Sequence, residues 1–570
     1  MKNLFCSFLI IFSLFAIVSC GGNDTSEPEE KDVAVSLRIV KGVANCSSLT
    51  IFDPCMLDKI AAINFIIQDK DGNQIKQQSI KKENLGNQAA IKGIKAVKNA
   101  TLIVEVLEDA NISKPILKGK ATDLEFEKGK ETVVKIQLYP ASTESAEAVM
   151  ANKLSLPRFG HTATVLTDGR ILIAGGFTSC GSNHKCLATN SVEIIDMESG
   201  EIEKLADMIE PRALHKAVLM DDGSVIFIGG VKAFNATAQS ESDIFENYPP
   251  LPYSFSASAA VTKIEQYMPT YPKYNKKQNN SEISSSNNTQ PIEAEIPFKA
   301  FQSILINQTA DNKADIFLVG GLDTEDSEDS QGTPSAKSYT FSITNTNGKA
   351  TVGPVTELSE SSEPMLYPAL AHGNGSILAV GGRPGNSEYA ASLISESSSE
   401  DKGKESGLNL FFTNNVAVGT SLYTFAGFNT EKKEGDDEAK TITFTKKILK
   451  WDVFGDSATY GEDENGNEYF VYPGDKEVAF AGTVYDETNE RFILIGGTGA
   501  SNVYQIVNAS TLERLNTTGH LMPVSLIMPE AVIIPAGKSP TGTDFLVITG
   551  GINTIDGTGS ATGLIRVNNL

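Results

Sequence analysis

The strongest constraint on the fold of this chain is a short, mainly apolar stretch that ends in a pair of glycines and recurs along most of the sequence. A weaker copy ends in Ala-Gly. The copies are Ile171–Gly176, Val225–Gly230, Ile316–Gly321, Ile377–Gly382, Phe492–Gly497 and Leu546–Gly551, with Leu422–Gly427 as the weaker one. A recurring unit of this kind predicts a series of similar modules, each of which buries its apolar faces against its neighbours.

The positions of other residues relative to the glycine pair are also repeated. Arg158 and Arg212 each lie 17 residues before the first glycine of a pair (158 to 175 and 212 to 229), and His161 and His215 each lie 14 before it (161 to 175 and 215 to 229). Turn dipeptides precede the apolar stretch in three copies, which indicates that each unit begins with a hairpin. These dipeptides are Asp168-Gly169, Asp222-Gly223 and Asn374-Gly375.

Further alternating segments follow each glycine pair. Ser191–Asp196, Ser338–Ile343 and Val503–Val507 supply a third strand, and short segments such as Glu201–Leu205 and Leu512–Leu515 supply a fourth. Four antiparallel strands in each unit predict an all-β fold, a β-propeller over residues 156–570. The copies predict seven blades, or six if the weak copy does not form one.

This pattern resembles the kelch repeat. The match is strongest where Pro157–His161 and Pro211–His215 precede their glycine pairs. Many kelch repeats also carry a tryptophan on the outer strand, but the single tryptophan of this chain, Trp451, lies in the third strand of the fifth unit. The resemblance therefore implies the fold and does not point to a particular kelch subfamily.

The N-terminus has the features of an export signal. Met1–Asn3 carries a positive charge, and Leu4–Val18 is almost wholly apolar but shorter than the roughly 20 residues that a membrane-spanning helix needs. Ile17–Cys20 resembles the bacterial lipobox. Residues 1–19 are therefore predicted to be a signal peptide, and Cys20 is predicted to carry acyl chains that hold the protein at a membrane.

Two further regions separate this signal from the repeats. Residues 20–32 are polar and predict a flexible tether. Residues 33–140 contain short alternating strands with turn residues between them, which favours an immunoglobulin-like β-sandwich. Residues 141–155 are predicted to be a linker, and the overlapping segment Val149–Leu156 is predicted to complete the last blade, because the sequence supplies only three strands for that blade after Pro529.

The cysteines agree with an exported protein. The four that remain besides Cys6 and Cys20 form two local pairs, Cys46 with Cys55 and Cys180 with Cys186, and these predict disulfides in an oxidising compartment. An alternative makes Cys180, His184 and Cys186 a metal site, but a fourth ligand is not supplied nearby.

Catalytic and cofactor motifs are mostly missing from the sequence. Equivalent positions in successive units favour structural roles for His161 and His215 over catalysis. Kelch oxidases resemble this chain in fold, but the tyrosines and histidines of their copper site have no counterpart segment here. Gly537-Lys538-Ser539 lacks the upstream glycine of a phosphate-binding loop. We therefore predict no cofactor and no metal.

Charge and loop composition narrow the range of partners. The formal net charge of −23 argues against nucleic acid. The loop after the second glycine pair contains Tyr248, Tyr253 and Phe255 on a proline-rich backbone, and such rings suit ligand binding, although they also suit packing onto the propeller. The sequence thus predicts a lipid-anchored protein of the bacterial cell envelope, at the outer membrane, whose propeller binds a protein or glycan without catalysis. The alternative is a carbohydrate-acting enzyme that resembles kelch oxidases or sialic-acid isomerases.

Overall fold

The protein is all-β and consists of many small antiparallel sheets. The structure, a computed structural model, describes residues 9–14, 33–40, 60–84, 89–108, 115–127, 134–141, 146–180, 185–235, 260–269, 288–292, 294, 296–323, 333–382, 388–406, 414–432, 440–455, 459–460, 480–497, 503–515, 520–521, 526–553 and 562–567. Among these residues the helical structure is limited to one turn of 3-10 helix, Lys82–Asn84. No helix within the described ranges is long and apolar enough to cross a membrane.

Two sheets form the N-terminal region. The first contains, in spatial order, Ala89–Ile94, Val33–Val40, Leu9–Leu14 and Val134–Gln137. The second contains Gln74–Lys81, Ala62–Gln68, Val97–Leu107, Leu117–Phe126 and Tyr139–Pro140. Their alternating apolar residues share one buried cluster, which includes Phe65, Ile91, Val104 and Ile136. Leu9–Leu14, in the segment predicted to be the signal peptide, is hydrogen-bonded between two other strands in this unprocessed chain.

Seven further sheets follow the repeats of the sequence, and we number them in the order of their first strands. Sheet 1 contains Thr162–Val165, Ile171–Ala174, Val192–Ile195 and Ile202–Lys204, and sheet 2 contains Lys216–Leu219, Val225–Ile228, Ile264–Met268 and Asn288–Ile292. Sheet 3 contains Ser303–Ala310, Lys313–Val319, Ser338–Thr346, Lys349–Val352 and the short Thr356–Glu357, and sheet 4 contains Ala369–Gly373, Ser376–Val380, Glu388–Ile394 and Ser399–Ser406. Sheet 5 contains Asn414–Val418, Ser421–Lys432, Lys440–Asp452 and Thr459–Tyr460; sheet 6 contains Gly482–Asp486, Arg491–Ile495, Val503–Asn508 and His520–Leu521; and sheet 7 contains Glu530–Ile534, Phe545–Thr549, Thr562–Val567 and Ala146–Lys153.

The sheets are arranged in a closed ring. The first strand of each sheet contacts the first strand of the next, and the first strand of sheet 7 contacts that of sheet 1. A buried apolar cluster lies between each sheet and its neighbour, including sheets 7 and 1. In sheet 1, Ile171 and Ile173 face sheet 7, whereas Leu172 and Ala174 face sheet 2. The second strands are continuously apolar because both of their faces are buried.

The ring is closed by two strands that lie far apart in the sequence. Ala146–Lys153 pairs with Thr562–Val567 and forms the outer strand of sheet 7. The segment that the sequence predicted for this position, 149–156, overlaps the observed strand over residues 149–153. Without this strand, the outer edge of sheet 7 would expose unpaired backbone groups.

The outer strand of sheet 6 differs from the sequence prediction. The predicted segment, Leu512–Leu515, makes a single bridge, from Arg514 to Val507, and His520–Leu521 is the fourth strand instead. The side-chain oxygen of Asn508 accepts hydrogen bonds from the amides of Ser510 and Thr511, and Leu512 adopts a φ of 60°. This turn prevents the chain from continuing directly into a strand.

Candidate ligand-binding face

The repeated spacing of arginine and the glycine pair places a buried arginine beside the strands of its own sheet. The Arg158 guanidinium is fully buried, donates to the carbonyl oxygens of Gly175 (2.9 Å) and Ser191 (3.1 Å), and pairs with the Glu193 carboxylate at 2.5 Å. Arg212 repeats this arrangement with Gly229 and Glu265. Both arginines therefore cross-link strands of their own sheet through groups that water cannot reach.

The glycine pair is needed because the next sheet approaches it closely. Gly176 adopts a φ of 96°, and its amide donates to the carbonyl oxygen of Arg212 at 2.9 Å. A Cβ atom on Gly176 would lie 2.8 Å from that of His161, and one on Gly175 would overlap the Arg212 carbonyl oxygen. Gly551 repeats the amide bond to Arg158, which joins sheet 7 to sheet 1.

The two repeated histidines are structural, as the sequence analysis favoured. His161 Nε2 is hydrogen-bonded to Thr549 Oγ1 (2.9 Å), and His215 Nε2 to Thr162 Oγ1 (3.0 Å). Both rings are about 3 % exposed. Burial, together with the nearby Arg158, lowers the pKa of His161 to about 3, and burial lowers the pKa of His215 well below its usual range. Both imidazoles are therefore neutral at physiological pH.

Sequence reasoning missed a set of residues around the ring axis. Two positions before the first strand of a sheet, the backbone adopts a left-handed φ between 53° and 62°. Glycine occupies this position only once among the described sheets. The residues are Gly160, Leu214, Phe301, Tyr367, Phe480 and Met528. Because bulky residues rarely adopt this conformation, the surrounding structure must impose it.

Backbone hydrogen bonds supply that constraint. The amide of Leu214 donates to the carbonyl oxygen of Gly160 (2.7 Å), that of Tyr367 to Phe301 (3.1 Å), and that of Met528 to Phe480 (2.7 Å). Each bond joins adjacent sheets at the same end of their first strands. We call this end of the ring the mouth. No simple residue type marks these positions, and only their constant distance from the first strand could have revealed them.

The first residue of each first strand lies two positions further on and also faces the mouth region. Among the residues whose side chains the structure describes, Lys216 and Glu530 are the charged ones in a set that also includes Thr162, Ser303, Ala369 and Gly482. Neither forms a salt bridge with another described residue. The Glu530 carboxyl nevertheless interacts electrostatically with Lys216 of sheet 2 and with Tyr367 of sheet 4. Groups at this end of three sheets therefore influence one another electrostatically.

The environment of these groups suits recognition of neutral polar ligands. Burial raises the pKa of Glu530 to about 7, against a smaller opposing effect of Lys216. Burial and the Glu530 charge raise the pKa of Tyr367 to about 12, so that its phenol keeps its proton. Near neutral pH the Glu530 carboxyl thus exists in both protonation states, and it can donate or accept a hydrogen bond.

A small cavity of about 10 Å³, room for about one water molecule and partly open to solvent, adjoins the mouth between sheets 2 and 3. Leu214, Phe301 and Tyr367 line it together with Gln302. The Gln302 side chain is about 5 % exposed, and its Nε2 has no hydrogen-bond partner among the described residues. Its Oε1 accepts from the Lys299 amide at 3.3 Å. A buried donor without an acceptor is costly, so a group that satisfies it would bind favourably.

The long loops lie on the same face as the mouth. Strands of a meander alternate in direction, so the loops after the glycine pairs share a face with the starts of the first strands. Phe177–Cys180, Lys185–Ala188 and Ala233–Asn235 form a small sheet there, which joins the loops of sheets 1 and 2. Cys186 is disulfide-bonded, and the residue opposite it in the hairpin is Cys180. A cysteine in a disulfide has no thiolate for a metal.

Several sequence-predicted residues fall outside the described part of the chain. These are Cys20, Cys46, Cys55, His184, Tyr248, Tyr253 and Phe255. Within the described ranges, no group of three or more histidine, cysteine or acidic side chains could hold a metal ion.

Comparisons with known proteins show little sequence similarity. No protein-family model matches the chain, and no curated protein matches it. A solved structure described as "Structure of YjhT" is similar to 64 % of this chain and 99 % of its own, with 11 % sequence identity and a TM-score of 0.37.

Proposed function

We propose that this chain is a lipid-anchored protein of the bacterial cell envelope whose seven sheets are the blades of a kelch-type β-propeller. Its role is to bind a protein or glycan ligand, and it does so without catalysis. The observation that carries the binding role is the mouth, where Lys216 and Glu530 begin first strands and the buried donor of Gln302 lines a small cavity with Tyr367, on the face that also bears the long loops. Few, convergent polar groups among apolar walls are typical of ligand sites.

The anchor follows from the N-terminal sequence. Cleavage before Cys20 would remove Leu9–Leu14, which lies between Val33–Val40 and Val134–Gln137. These two strands would then have free edges that face each other, and we expect them to pair directly. Hydrogen exchange of the mature protein should therefore show protected amides in both strands.

Two experiments test the proposal. Replacement of Cys20 by Ala should abolish incorporation of labelled fatty acid and release the protein from the membrane fraction. The released protein should then be tested on an immobilised glycan panel and by capture of envelope proteins. Lipid labelling that survives the substitution would refute the anchor, and the absence of any glycan or protein ligand would refute the binding role.

A second candidate function is a carbohydrate-acting enzyme. The specific observation in its favour is Glu530, because a carboxyl with a pKa near 7 is suited to general acid–base catalysis. Sugar turnover that is lost in a Glu530→Gln variant would favour this candidate over a binding module.

A further inference from the structure

The small cavity beside Gln302 offers a more specific inference, which rests on the proposed binding function. We propose that this cavity is a subsite for one neutral oxygen atom that accepts a hydrogen bond from Gln302. In the free protein the oxygen belongs to a water molecule, and in the complex it belongs to a hydroxyl group of a glycan ligand. Gln302 is then a residue that determines which ligands bind.

Gln302 occupies the position of the two structural histidines. Each of these three residues directly precedes the first strand of its sheet, and each histidine is hydrogen-bonded to a threonine of the neighbouring sheet. Thr549 ends the second strand of sheet 7, and Thr162 begins the first strand of sheet 1. The same two positions of sheet 2 are held by Ile228 and Lys216, whose side chains have no hydrogen-bond acceptor. Sheet 2 therefore supplies neither of the acceptors that the histidines use.

The cavity lies where a histidine ring lies between sheets 1 and 2. The His215 ring is close to the first glycine of a pair, since a Cβ atom on Gly175 would lie 2.9 Å from its Cε1. Gln302 lines the cavity together with Gly229, the corresponding glycine of sheet 2. A carboxamide takes the place of an imidazole ring here, beside room for about one water molecule.

The Gln302 carboxamide is held so that its nitrogen is the unpaired atom. Its Oε1 accepts a hydrogen bond from the backbone amide of Lys299 at 3.3 Å. A backbone amide only donates, so the oxygen must face it and Nε2 must turn away. Nε2 is buried without a partner among the described residues. An acceptor that enters the cavity therefore forms a hydrogen bond that these residues do not provide.

The lining of the cavity favours a hydroxyl over an anion. Lys299 is the one charged residue among the described residues that line it, and its ammonium donates to the Asp323 carboxylate and to Ser335 Oγ (2.6 Å). An entering carboxylate would lose its hydration and would compete with Asp323 for this ammonium. A hydroxyl matches water in size and in hydrogen bonding, and Phe301 and Leu214 supply apolar walls for the neighbouring C–H groups. This combination is typical of a sugar.

High-resolution crystal structures of the mature full-length protein test the subsite directly. We expect one ordered oxygen within about 3.2 Å of Gln302 Nε2, and no such oxygen in a Gln302→Met variant. A soak with methanol should place its hydroxyl at this position, whereas a soak with acetate should leave the water in place. Bound acetate would overturn the preference for a neutral oxygen. A cavity without an ordered oxygen, before and after the methanol soak, would overturn the subsite.

Affinity measurements test the role of the subsite in ligand binding. The glycan that binds on the immobilised panel is titrated by calorimetry against the mature protein in detergent. We expect Gln302→Met to weaken binding about threefold to tenfold, as the loss of one hydrogen bond does, at a melting temperature close to that of the unaltered protein. The matched control, Gln308→Met, changes an exposed glutamine of the same strand and should bind like the unaltered protein.

The outcomes separate this inference from the proposed function. Unchanged affinity in Gln302→Met would show that the cavity holds water alone and would overturn its role in ligand binding. A protein as the sole ligand would overturn the glycan hydroxyl and leave the binding role standing. The absence of any glycan or protein ligand would refute the proposed function, while the crystal structures would still decide whether the cavity binds an oxygen.

Discussion

The buried pair of Arg212 and Glu265 should be one of the most sensitive points of the ring. Both side chains are fully buried. Arg212 also donates to the carbonyl oxygens of Gly229 (3.0 Å) and Lys263 (3.1 Å). Replacement of Glu265 by Gln leaves the guanidinium charge without a counter-charge inside the protein. Removal of one partner of a buried pair typically costs about 3–5 kcal/mol, and we expect a loss of this size in the free energy of unfolding.

A double-mutant cycle separates this loss from simple side-chain deletion. Arg212→Met alone should also destabilise, because it leaves a buried carboxylate that is held only by two backbone amides, those of Ile209 and Glu210 (2.7 and 3.0 Å). The double variant contains no buried charge, and its loss should be smaller than the sum of the single losses by about 2–3 kcal/mol. Urea unfolding followed by circular dichroism and by fluorescence of Trp451 measures these values. Single losses below about 1 kcal/mol, or strictly additive losses, would refute the reasoning.

Three other predictions address closure, titration and redox state. A chain that begins at Arg158 lacks the outer strand of sheet 7, and it should melt earlier or aggregate more than one that begins at Ser145; equal melting and solubility would contradict closure by this strand. Unfolded Glu530 has a pKa near 4.5 and folded Glu530 one near 7, so stability should fall as the pH rises through this interval. We expect the free energy of unfolding to fall by about 1–2 kcal/mol over this interval, after allowance for solvent screening of a partly exposed group, and Glu530→Gln should abolish this fall. The same pH profile of the urea midpoint in the variant and in the unaltered protein would argue against the pKa shift. Mass mapping without reduction should link Cys180 to Cys186, and free thiols at both would show that the hairpin is not cross-linked.

The repeated elements could be predicted from the sequence because their physical causes are local. Continuous apolar runs mark strands that are buried on both faces, as in Ile171–Ala174. Asn374-Gly375 forms the expected tight hairpin, with both residues at positive φ. The glycine pairs recur because the next sheet approaches them closely, as at Gly175, Gly320 and Gly550.

The partners of the buried arginines could not be predicted in the same way. Glu193 and Glu265 lie 35 and 53 residues after their arginines, since the loop between them differs in length. Counting residues from the glycine pair therefore places the two arginines at equivalent positions, but it does not do so for the carboxylates that pair with them. The residues of the mouth were missed for a related reason, because residues as far apart in sequence as Lys216 and Glu530 come to the same end of the ring only when the ring closes.

The N-terminal sheets contact the ring where sheets 7 and 1 meet. Tyr139 donates its hydroxyl proton to the Met197 carbonyl oxygen (2.7 Å) and packs against Phe545, and Thr122 donates to the Glu198 carboxylate (2.9 Å). Met197 and Glu198 lie in the turn between the third and fourth strands of sheet 1, and Phe545 begins the second strand of sheet 7. In an alternating meander these points lie at the end of the ring opposite the mouth. The N-terminal sheets thus hold the seam where the ring closes, and these contacts lie at the end opposite the mouth. In the proposed anchored protein the lipid precedes these sheets, so the ligand-binding face lies on the other side of the ring from the domain that connects it to the membrane.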